Sequence, residues 1–433
     1  MFDRPLVYYV FFLILGCISC LISNKSFYCA LISVLVIMII FFFTLEDKKF
    51  FIINVLFLIL GILCFNLYFN MSIPSNMEVR ITDKKNYYCY ASYKGRKVLL
   101  YGNVKNLKNG MKVLLEGTFK STKNYEKGLI GTYTVKQYEI KKRDLIYMLY
   151  QIKEKLYEKY CERVGSKKTS LIMALCYGEP KYLKYGVKKE FQKLGVIHAL
   201  CVSGFHISIV YKLFSIFAAS KLAFIFTLVY VIFTGAKASA VRAYIMILIY
   251  KCSKKVFRNY DAISSLSLAA IILIMIKPYY ILDIGFNLSF LSTLGIILYN
   301  KKISRYLYKL PCFLNKSISI ALSAQVFSVP YAALSINNIS LGFLLGNLIL
   351  VPIYSLIIIL GNIAIIAMPL KFLFNGICYI LYSVLTAAEG GNYLLLKICP
   401  PVINTNYFYG LALLTLYMEF IMLKHYIKES DKL

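Results

Sequence analysis

The chain has 433 residues, of which 59% are hydrophobic and only 16% are charged. Soluble domains average about 45–50% apolar and about 25% charged residues, so this composition excludes an ordinary soluble domain. The 38 tyrosines and 30 phenylalanines also exclude a disordered chain. Fifty Lys and Arg residues against 20 Asp and Glu give a net charge of +30, which favours polyanionic partners such as lipid headgroups or nucleic acid.

Three apolar runs open the chain, at 6–23, 28–45 and 50–70. Each approaches the ~20 residues that a helix needs to cross about 30 Å of hydrocarbon. Arg4 and the pair Lys48 and Lys49 lie on the same side of these runs, and the positive-inside rule predicts that this side is cytoplasmic. The chain is therefore expected to leave the third span on the outer face of the membrane.

Residues 71–170 form the one long polar stretch, with 22 Lys and Arg against nine Asp and Glu. In 111–120, apolar and polar residues alternate with the period of a half-buried strand, and Asn109-Gly110 before them is a turn signal. Further strand candidates lie at 77–82, 86–93, 96–102 and 131–140. Five short strands predict a small extracytoplasmic β-barrel, with the oligonucleotide-binding (OB) type as the leading candidate.

An amphipathic helix is predicted after the strands. Its apolar face is formed by Leu145, Met148, Leu149, Ile152 and Leu156, and lysines fill the other face. Such a helix either lies on a membrane surface or packs on the barrel, and the sequence leaves both options open. It leaves open as well whether Cys89 and Cys161 form a disulfide.

A second apolar region begins near residue 171. Its predicted spans are 195–217, 220–236, 238–252, 262–277, 281–300, 317–335, 339–370 (long enough for two), 372–397 and 403–425. Several contain Gly, Pro or Asn at mid-depth, which is tolerated where protein or a watery cavity satisfies the backbone and is typical of transport proteins. The predicted segments are 1–70 (three spans), 71–142 (barrel), 143–170 (basic helix and linker), 171–425 (transmembrane domain) and 426–433 (polar tail).

Few ionisable residues lie within the predicted spans, and each is costly unless it faces the bundle interior. Arg242 either lines a polar path or pairs with Asp283 to fix helix packing. For Asp283 itself the structural role is favoured.

Two histidines, His198 and His206, flank Ser203-Gly204. A metal site would need more ligands, and the chain has only one other histidine. A serine nucleophile would need a base and an oxyanion hole, and the G-x-S-x-G elbow is absent. We expect no enzymatic activity, metal or cofactor here, and favour a polar, kinked segment lining a cavity over close helix packing.

Residues 197–206 resemble the signature HLLAVSGLH of the ComEC-type competence proteins, which pass DNA across the cytoplasmic membrane. Four further blocks agree in order. They are Gly178; Thr234-Gly235 followed by 239–243; Asp261 with Pro278 and 282–290; and Ala324-Gln325 with Pro330, 346–348 and Pro352. Phe205 and Asn287 are mild departures. The chain stops without the metallo-β-lactamase-like domain of many members, so strand degradation by that domain is not expected.

The resemblance implies a multi-pass channel in the cytoplasmic membrane that imports single-stranded DNA during natural transformation. Its partners would be the DNA, the lipid bilayer, a DNA receptor and a cytoplasmic ATP-driven motor. The alternative is a small-solute or lipid-linked transporter built on the same broken helices. The residues expected along the DNA path are His198, Ser203, Gly204, His206, Thr234, Gly235, Arg242, Asp283, Gln325 and Asn347.

Overall fold

A computed structural model describes residues 4–141, 144–217, 220–406, 408–412, 415 and 419. Within them the chain is mostly helical and contains one closed β-barrel. The residues group into two compact units. The first unit comprises the residues up to 155 together with 245–287, and the second comprises 156–244 together with the residues from 288 onward. The five segments predicted from the sequence were defined by membrane spans and polar stretches, whereas these two units are defined by compactness. The five segments therefore stay a prediction.

The first unit begins with the three predicted helices, α1 Pro5–Ser23, α2 Phe27–Thr44 and α3 Lys48–Phe69. Pro5 occupies the first turn of α1, and the carboxylate of Asp47 caps α3 by accepting from the backbone N–H of Lys49 at 2.9 Å. The helices α1 and α3 cross closely at Gly16 and Gly61. A methyl group on either glycine would stand 2.2–2.3 Å from a carbonyl oxygen of the other helix. Small residues at such crossings allow van der Waals packing in lipid, where no hydrophobic force joins helices.

The barrel follows as β1 Asn76–Lys84, β2 Cys89–Tyr93, β3 Arg96–Gly102, β4 Lys112–Lys120 and β5 Leu129–Ile140. The strands pair in the closed order β1-β2-β3-β5-β4, with β3 and β5 parallel and the other pairs antiparallel. Alternate side chains of each strand fill the interior, among them Val79, Ile81 and Leu100, which are fully buried. This strand order is that of an OB barrel, so the predicted strands and barrel type are confirmed.

The start of α4 Leu145–Val164 packs on the barrel, the second of the two predicted options for this helix. Arg80 on β1 forms an ion pair with Asp144, just before the helix. The hydroxyl of Tyr150 donates to the carbonyl of Thr82 at 3.4 Å. Cys89 is a free thiol buried in the barrel, and Cys161 on α4 is free as well.

Residues 245–287 also belong to the first unit, although about 90 residues of the second unit separate them from its other residues in the sequence. They comprise the end of α9 Ala238–Lys255, α10 Ala262–Ile276 and a 3₁₀ turn at Pro278–Leu282. Arg4 forms an ion pair with Asp261 at 3.3 Å, which places the start of α10 beside the N-terminus. The ring of Tyr279 lies 5.4 Å from that of Tyr68 on α3, whose hydroxyl donates to the barrel carbonyl of Gly128 at 3.0 Å. The turn therefore packs where α3 enters the barrel.

In its described residues the second unit consists of helices, connecting turns and a short ribbon of β6 Asn338–Ile339 with β7 Ile403–Asn404. Its helices are α5 Ser166–Tyr177, α6 Tyr185–Lys193, α7 Gly204–Phe217, α8 Ser220–Phe233, most of α11 Ile284–Tyr306, α12 Cys312–Ser335, α13 Phe343–Ala367 and α14 Lys371–Ile398. The beginning of α9 and the end of α4 also belong to it.

Two predicted spans of this region differ in the structure. The span 195–217 is an α-helix only from Gly204, and a 3₁₀ turn lies before it at Ile197–Leu200. The apolar run 339–370, which is long enough for two spans, forms the single helix α13, and Pro352 lies inside it without ending it. About half of the last predicted span, 403–425, lies outside the described residues, and its first two residues form β7.

Six described helices are long and apolar enough to cross a membrane: α1, α2, α3, α12, α13 and α14. Shorter apolar helices are α7, α8 and α10. On α2 only Ala30 is buried, and residues such as Phe43, at 80% exposed, turn outward. An apolar surface of this extent needs a hydrocarbon solvent. The protein is a multi-pass α-helical membrane protein with an inserted OB-type barrel.

Candidate nucleic-acid contacts

Four tyrosines, two of them exposed and two half-buried, lie on β2, β3 and the loop before β2. Tyr87 and Tyr88 lie in the loop between β1 and β2, Tyr90 on β2 and Tyr101 on β3. The rings of Tyr88 and Tyr90 lie 5.6 Å apart, those of Tyr88 and Tyr101 lie 6.1 Å apart, and Tyr87 is 85% exposed. We call these four residues the tyrosine face. OB barrels bind oligonucleotides with strands 2 and 3 and the adjoining loops, and bases stack on aromatic rings there.

Lysines border the tyrosine face. Lys84 ends β1, where its ammonium donates to the carbonyl of Lys105, and Lys85 and Lys105 are exposed in the neighbouring loops. Lys85 forms an ion pair with Asp83 at 3.0 Å. Positive charge beside stacking rings is the combination that proteins use to bind single strands without sequence preference.

A pocket of about 440 Å³ lies on another part of the barrel, between the start of β1 and the end of β2. Its cations are largely neutralised, because Arg80 pairs with Asp144 and Lys112 pairs with Glu78. The hydrogen bond from Arg80 lowers the pKa of Asp144, and that from Lys112 lowers the pKa of Glu78. The pocket is thus a weaker candidate for a polyanion than the tyrosine face.

In the second unit, the segment around Ser203 forms a helix-capping arrangement. The backbone N–H of Ser203, the residue before α7, donates to Nδ1 of His206 at 3.2 Å, and the Ser203 hydroxyl lies 3.0 Å from the same nitrogen. A side chain three residues into a helix that reaches back to the capping residue is the geometry of a capping box, in which Glu or Gln usually acts. Because Nδ1 accepts, a neutral His206 carries its proton on Nε2. The ring lies near the carbonyls of Leu175 and Ala199.

Arg242 on α9 is 7% exposed and lies at the start of α7. Its Nη1 donates to the carbonyl of Ser289 and the hydroxyl of Thr293, both on α11, and the guanidinium stands 5.7 Å from the Phe290 ring centroid. A methyl group on Gly204 would stand 2.9 Å from Nη2, so the guanidinium would have to shift if alanine replaced this glycine. Within the described part of the second unit, Arg242 forms no ion pair with a carboxylate.

Three of the sequence blocks described above, those at Gly178, 197–206 and 234–243, contact one another near Arg242. Gly178 ends α5 with a φ of +69°, a conformation that favours glycine, and Val202 and Thr234 both lie against it. The hydroxyl of Ser239 donates to the carbonyl of Val202 at 2.8 Å. The block around 202–206 is therefore held between α5 and the turn from α8 to α9.

The other predicted path residues have separate surroundings. Thr234 is buried and its hydroxyl donates to the carbonyl of Val231, while Gly235 turns the chain towards α9 with a φ of +91°. His198 is exposed in a 3₁₀ turn. Gln325 accepts from the Ser328 hydroxyl within α12, and Asn347 is half-buried on α13.

Asp283 belongs to the first unit. Its carboxylate accepts from the backbone N–H of Phe286 at 2.7 Å, at the start of α11. Its charge also reaches Lys97 of β3, where it partly offsets the burial that lowers the pKa of that lysine. This cap is a structural role, but it differs from the pairing with Arg242 that the sequence favoured for Asp283, and that pairing stays a prediction.

Sequence reasoning missed the partners of Arg242. Ser289 and Thr293 are four residues apart and therefore share a face of α11, a spacing that could have been noticed. It also missed the capping box, because histidine replaces the usual Glu or Gln. Among the described residues, no three His, Cys, Asp or Glu side chains are grouped so that they could hold a metal ion.

The fold and these sites define a class, the multi-pass membrane proteins with an OB-type barrel and a buried polar centre. A sequence model of the competence protein family matches residues 175–422, more than half of the chain. The chain belongs to the competence protein family.

Three relatives illustrate the range of similarity. The ComE operon protein 3 of Bacillus subtilis is 30% identical over 205 residues, which are 45% of this chain and 26% of that protein. Uncharacterized protein MG316 of Mycoplasma genitalium is 33% identical over 115 residues, or 25% of this chain and 30% of that protein. An uncharacterized protein of Aquifex aeolicus is 25% identical over 211 residues, or 47% and 46%. The chain thus spans less than half of the length of these relatives. No solved structure matches the chain.

Proposed function

We propose that this protein is a channel that imports single-stranded DNA across the cytoplasmic membrane during natural transformation. The main support is membership of the competence protein family, whose match begins in α5 and includes the cluster around Arg242. A relative in Bacillus subtilis carries the name ComE operon protein 3. The multi-pass architecture supplies the membrane passage that such a role needs.

The barrel would collect the strand before it enters the membrane. The tyrosine face offers stacking surfaces, and the lysines beside it attract the phosphate backbone. This role needs the barrel on the outer side, as the charges of Arg4, Lys48 and Lys49 predict. A DNA receptor outside and an ATP-driven motor inside would complete the pathway.

Within the membrane, the path would follow the polar residues predicted from the sequence. Arg242, Ser203 and Gly204 already lie together, and His206 fixes the start of α7 beside them. The remaining predicted residues, His198, Thr234, Gly235, Asp283, Gln325 and Asn347, would contribute elsewhere along the route or support its walls. No step in this transport requires a cofactor or bond cleavage by this chain.

Deletion of the gene tests the proposal in a competent strain. Transformants should fall by several orders of magnitude and return on expression of the wild-type chain. Gly376→Ala is a suitable control variant, because a methyl group there meets nothing within 4 Å. Unchanged transformation in the deletion strain would refute the proposed function.

A further inference from the structure

We propose that the N-terminus of α7 and the guanidinium of Arg242 together bind one phosphodiester group of the passing strand. This inference rests on the proposed function and deepens it by naming the chemical group that the intramembrane site recognises. We call Gly204, Phe205, His206 and Arg242 the phosphate site.

The first component is the start of a helix inside an apolar region. The first hydrogen bond of α7 runs from the N–H of Ile207 to the carbonyl of Ser203. The N–H groups of Gly204, Phe205 and His206 consequently have no acceptor within the helix. They also carry the positive end of the dipole of a helix 14 residues long, which favours an anion. Ser203 is half-buried and Phe205 is 44% exposed, so this helix end is accessible.

The second component is the capping box, which leaves these N–H groups available. The His206 ring occupies the N–H of Ser203 and stands beside its hydroxyl. The ring thereby holds the start of α7 in one conformation, and its hydrogen bond is with the N–H of Ser203 and not with the N–H groups that follow. His206 is a positioning residue in this site, and its ring remains neutral because Nδ1 is an acceptor.

The third component is the charge of Arg242, which forms no ion pair within the described part of its own unit. The hydrogen bonds that it donates to described residues both come from Nη1 and end on neutral oxygens. The buried Nε has no partner among the described residues, and Nη2 lies beside Gly204. A buried cation without a carboxylate is unfavourable unless an anion joins it. The planar fork of arginine matches the two free oxygens of a phosphodiester.

The site would distinguish phosphate from base. Helix N–H groups and arginine contact backbone oxygens, which carry no sequence information. We therefore expect every DNA sequence to be held equally, and an uncharged backbone to be held poorly. A phospholipid headgroup carries the same phosphodiester chemistry and is the competing occupant to be tested.

The test uses the full chain in nanodiscs of neutral phosphatidylcholine, with a photocrosslinking amino acid placed at Phe205 or, separately, at Tyr87. The probe is a labelled thymidine oligonucleotide, compared with its uncharged methylphosphonate analogue. We expect crosslinking at Phe205 with the charged probe to exceed that with the analogue about tenfold or more. Arg242→Gln and Gly204→Ala should each lower it about tenfold, since the second change displaces the guanidinium. Arg242→Lys should retain part, and the control Gly376→Ala all of it.

The outcomes separate the two proposals. In one outcome, crosslinking at Tyr87 persists, and crosslinking at Phe205 is the same in wild type, Arg242→Gln and Arg242→Lys. This outcome overturns the phosphate site and leaves the channel proposal intact. Loss of crosslinking at both positions in the otherwise unchanged chain counts against DNA as the substrate. Native mass spectrometry in anionic nanodiscs covers the lipid alternative. A phospholipid retained by wild type and lost in Arg242→Gln, with no DNA signal at Phe205, assigns the site to a headgroup and refutes the inference.

Discussion

Arg242 lies near the beginning of α9 and is held by neutral groups. A buried arginine in a membrane protein is costly unless it is paired or hydrated. A purely structural arginine would be expected to have a carboxylate close by. We therefore predict that replacing Arg242 lowers DNA uptake more than it lowers the amount of folded protein.

Arg242→Gln should lower transformation by about 100-fold or more at near-normal protein level, because the amide keeps some hydrogen bonds but loses the charge. Arg242→Lys should retain a fraction, since a point charge still meets a phosphate without the planar fork. Immunoblots beside transformation counts provide the measurement. Low protein that recovers on adding Asp283→Ala would instead indicate the ion-pair role that the sequence left open.

The capping box gives His206 a role that can be separated from DNA contact. His206→Gln should keep the thermal midpoint of the purified protein within a few degrees, because glutamine is a usual residue at this position of a capping box. His206→Ala should lower it, since loss of a cap costs about 1 kcal/mol and leaves the N–H of Ser203 without its acceptor. Equal destabilisation by both variants would show that the ring itself is needed.

At the scale of elements, the hydrophobic pattern predicted most of the structure. Period-2 alternation located β4, and the apolar runs located most of the apolar helices, but α5 and α6 lie outside the predicted runs. The sequence could not indicate that 245–287 join the first unit, because that grouping depends on distant contacts such as Arg4 with Asp261 and Tyr68 with Tyr279. Nor could length alone show that α13 is one helix, because Pro352 usually interrupts a helix but is tolerated when neighbours satisfy the backbone.

The contact between the barrel and α4 should weaken in acid. Arg80 lowers the pKa of Asp144, so the ion pair stabilises the folded state above the usual pKa of an aspartate and this contribution is lost as the pH falls through the lowered value. Hydrogen exchange in the first turns of α4 should therefore accelerate, relative to intrinsic rates, below about pH 4. In Arg80→Ala it should already be faster at pH 6 and show little further change in acid. The effect should be at most about 1 kcal/mol, because both side chains are partly exposed.

The tyrosine face should contribute to binding of single strands. Tyr87→Ala in the full chain should weaken oligonucleotide binding about tenfold, since stacking contributes about 1–3 kcal/mol per base. The control Tyr185→Ala removes a similarly exposed tyrosine, 73% exposed, outside the barrel and should have no effect. Fluorescence anisotropy at low salt measures both. Equal affinities for the two variants would exclude the tyrosine face as the binding surface.

For the molecule as a whole, its orientation in the membrane determines whether the barrel lies on the outer side, from which the DNA arrives. Lys105→Cys on the barrel should react with an impermeant maleimide in intact protoplasts, whereas Lys49→Cys at the start of α3 should react only after lysis. Both residues are exposed in the structure, so a difference in reactivity reports the side of the membrane. The native exposed cysteines Cys29, Cys201, Cys252 and Cys312 would first be changed to serine. The reverse pattern would place the barrel inside the cell.

The most direct test of the central claim follows labelled duplex DNA into three compartments: free, bound at the surface, and protected from added nuclease inside the cell. Cells with the wild-type chain should accumulate protected single strands. Cells without it, or with Arg242→Gln, should bind DNA at the surface but protect almost none. Protected DNA at wild-type levels in the deletion strain would contradict the account, because the strand would then cross the membrane by another route.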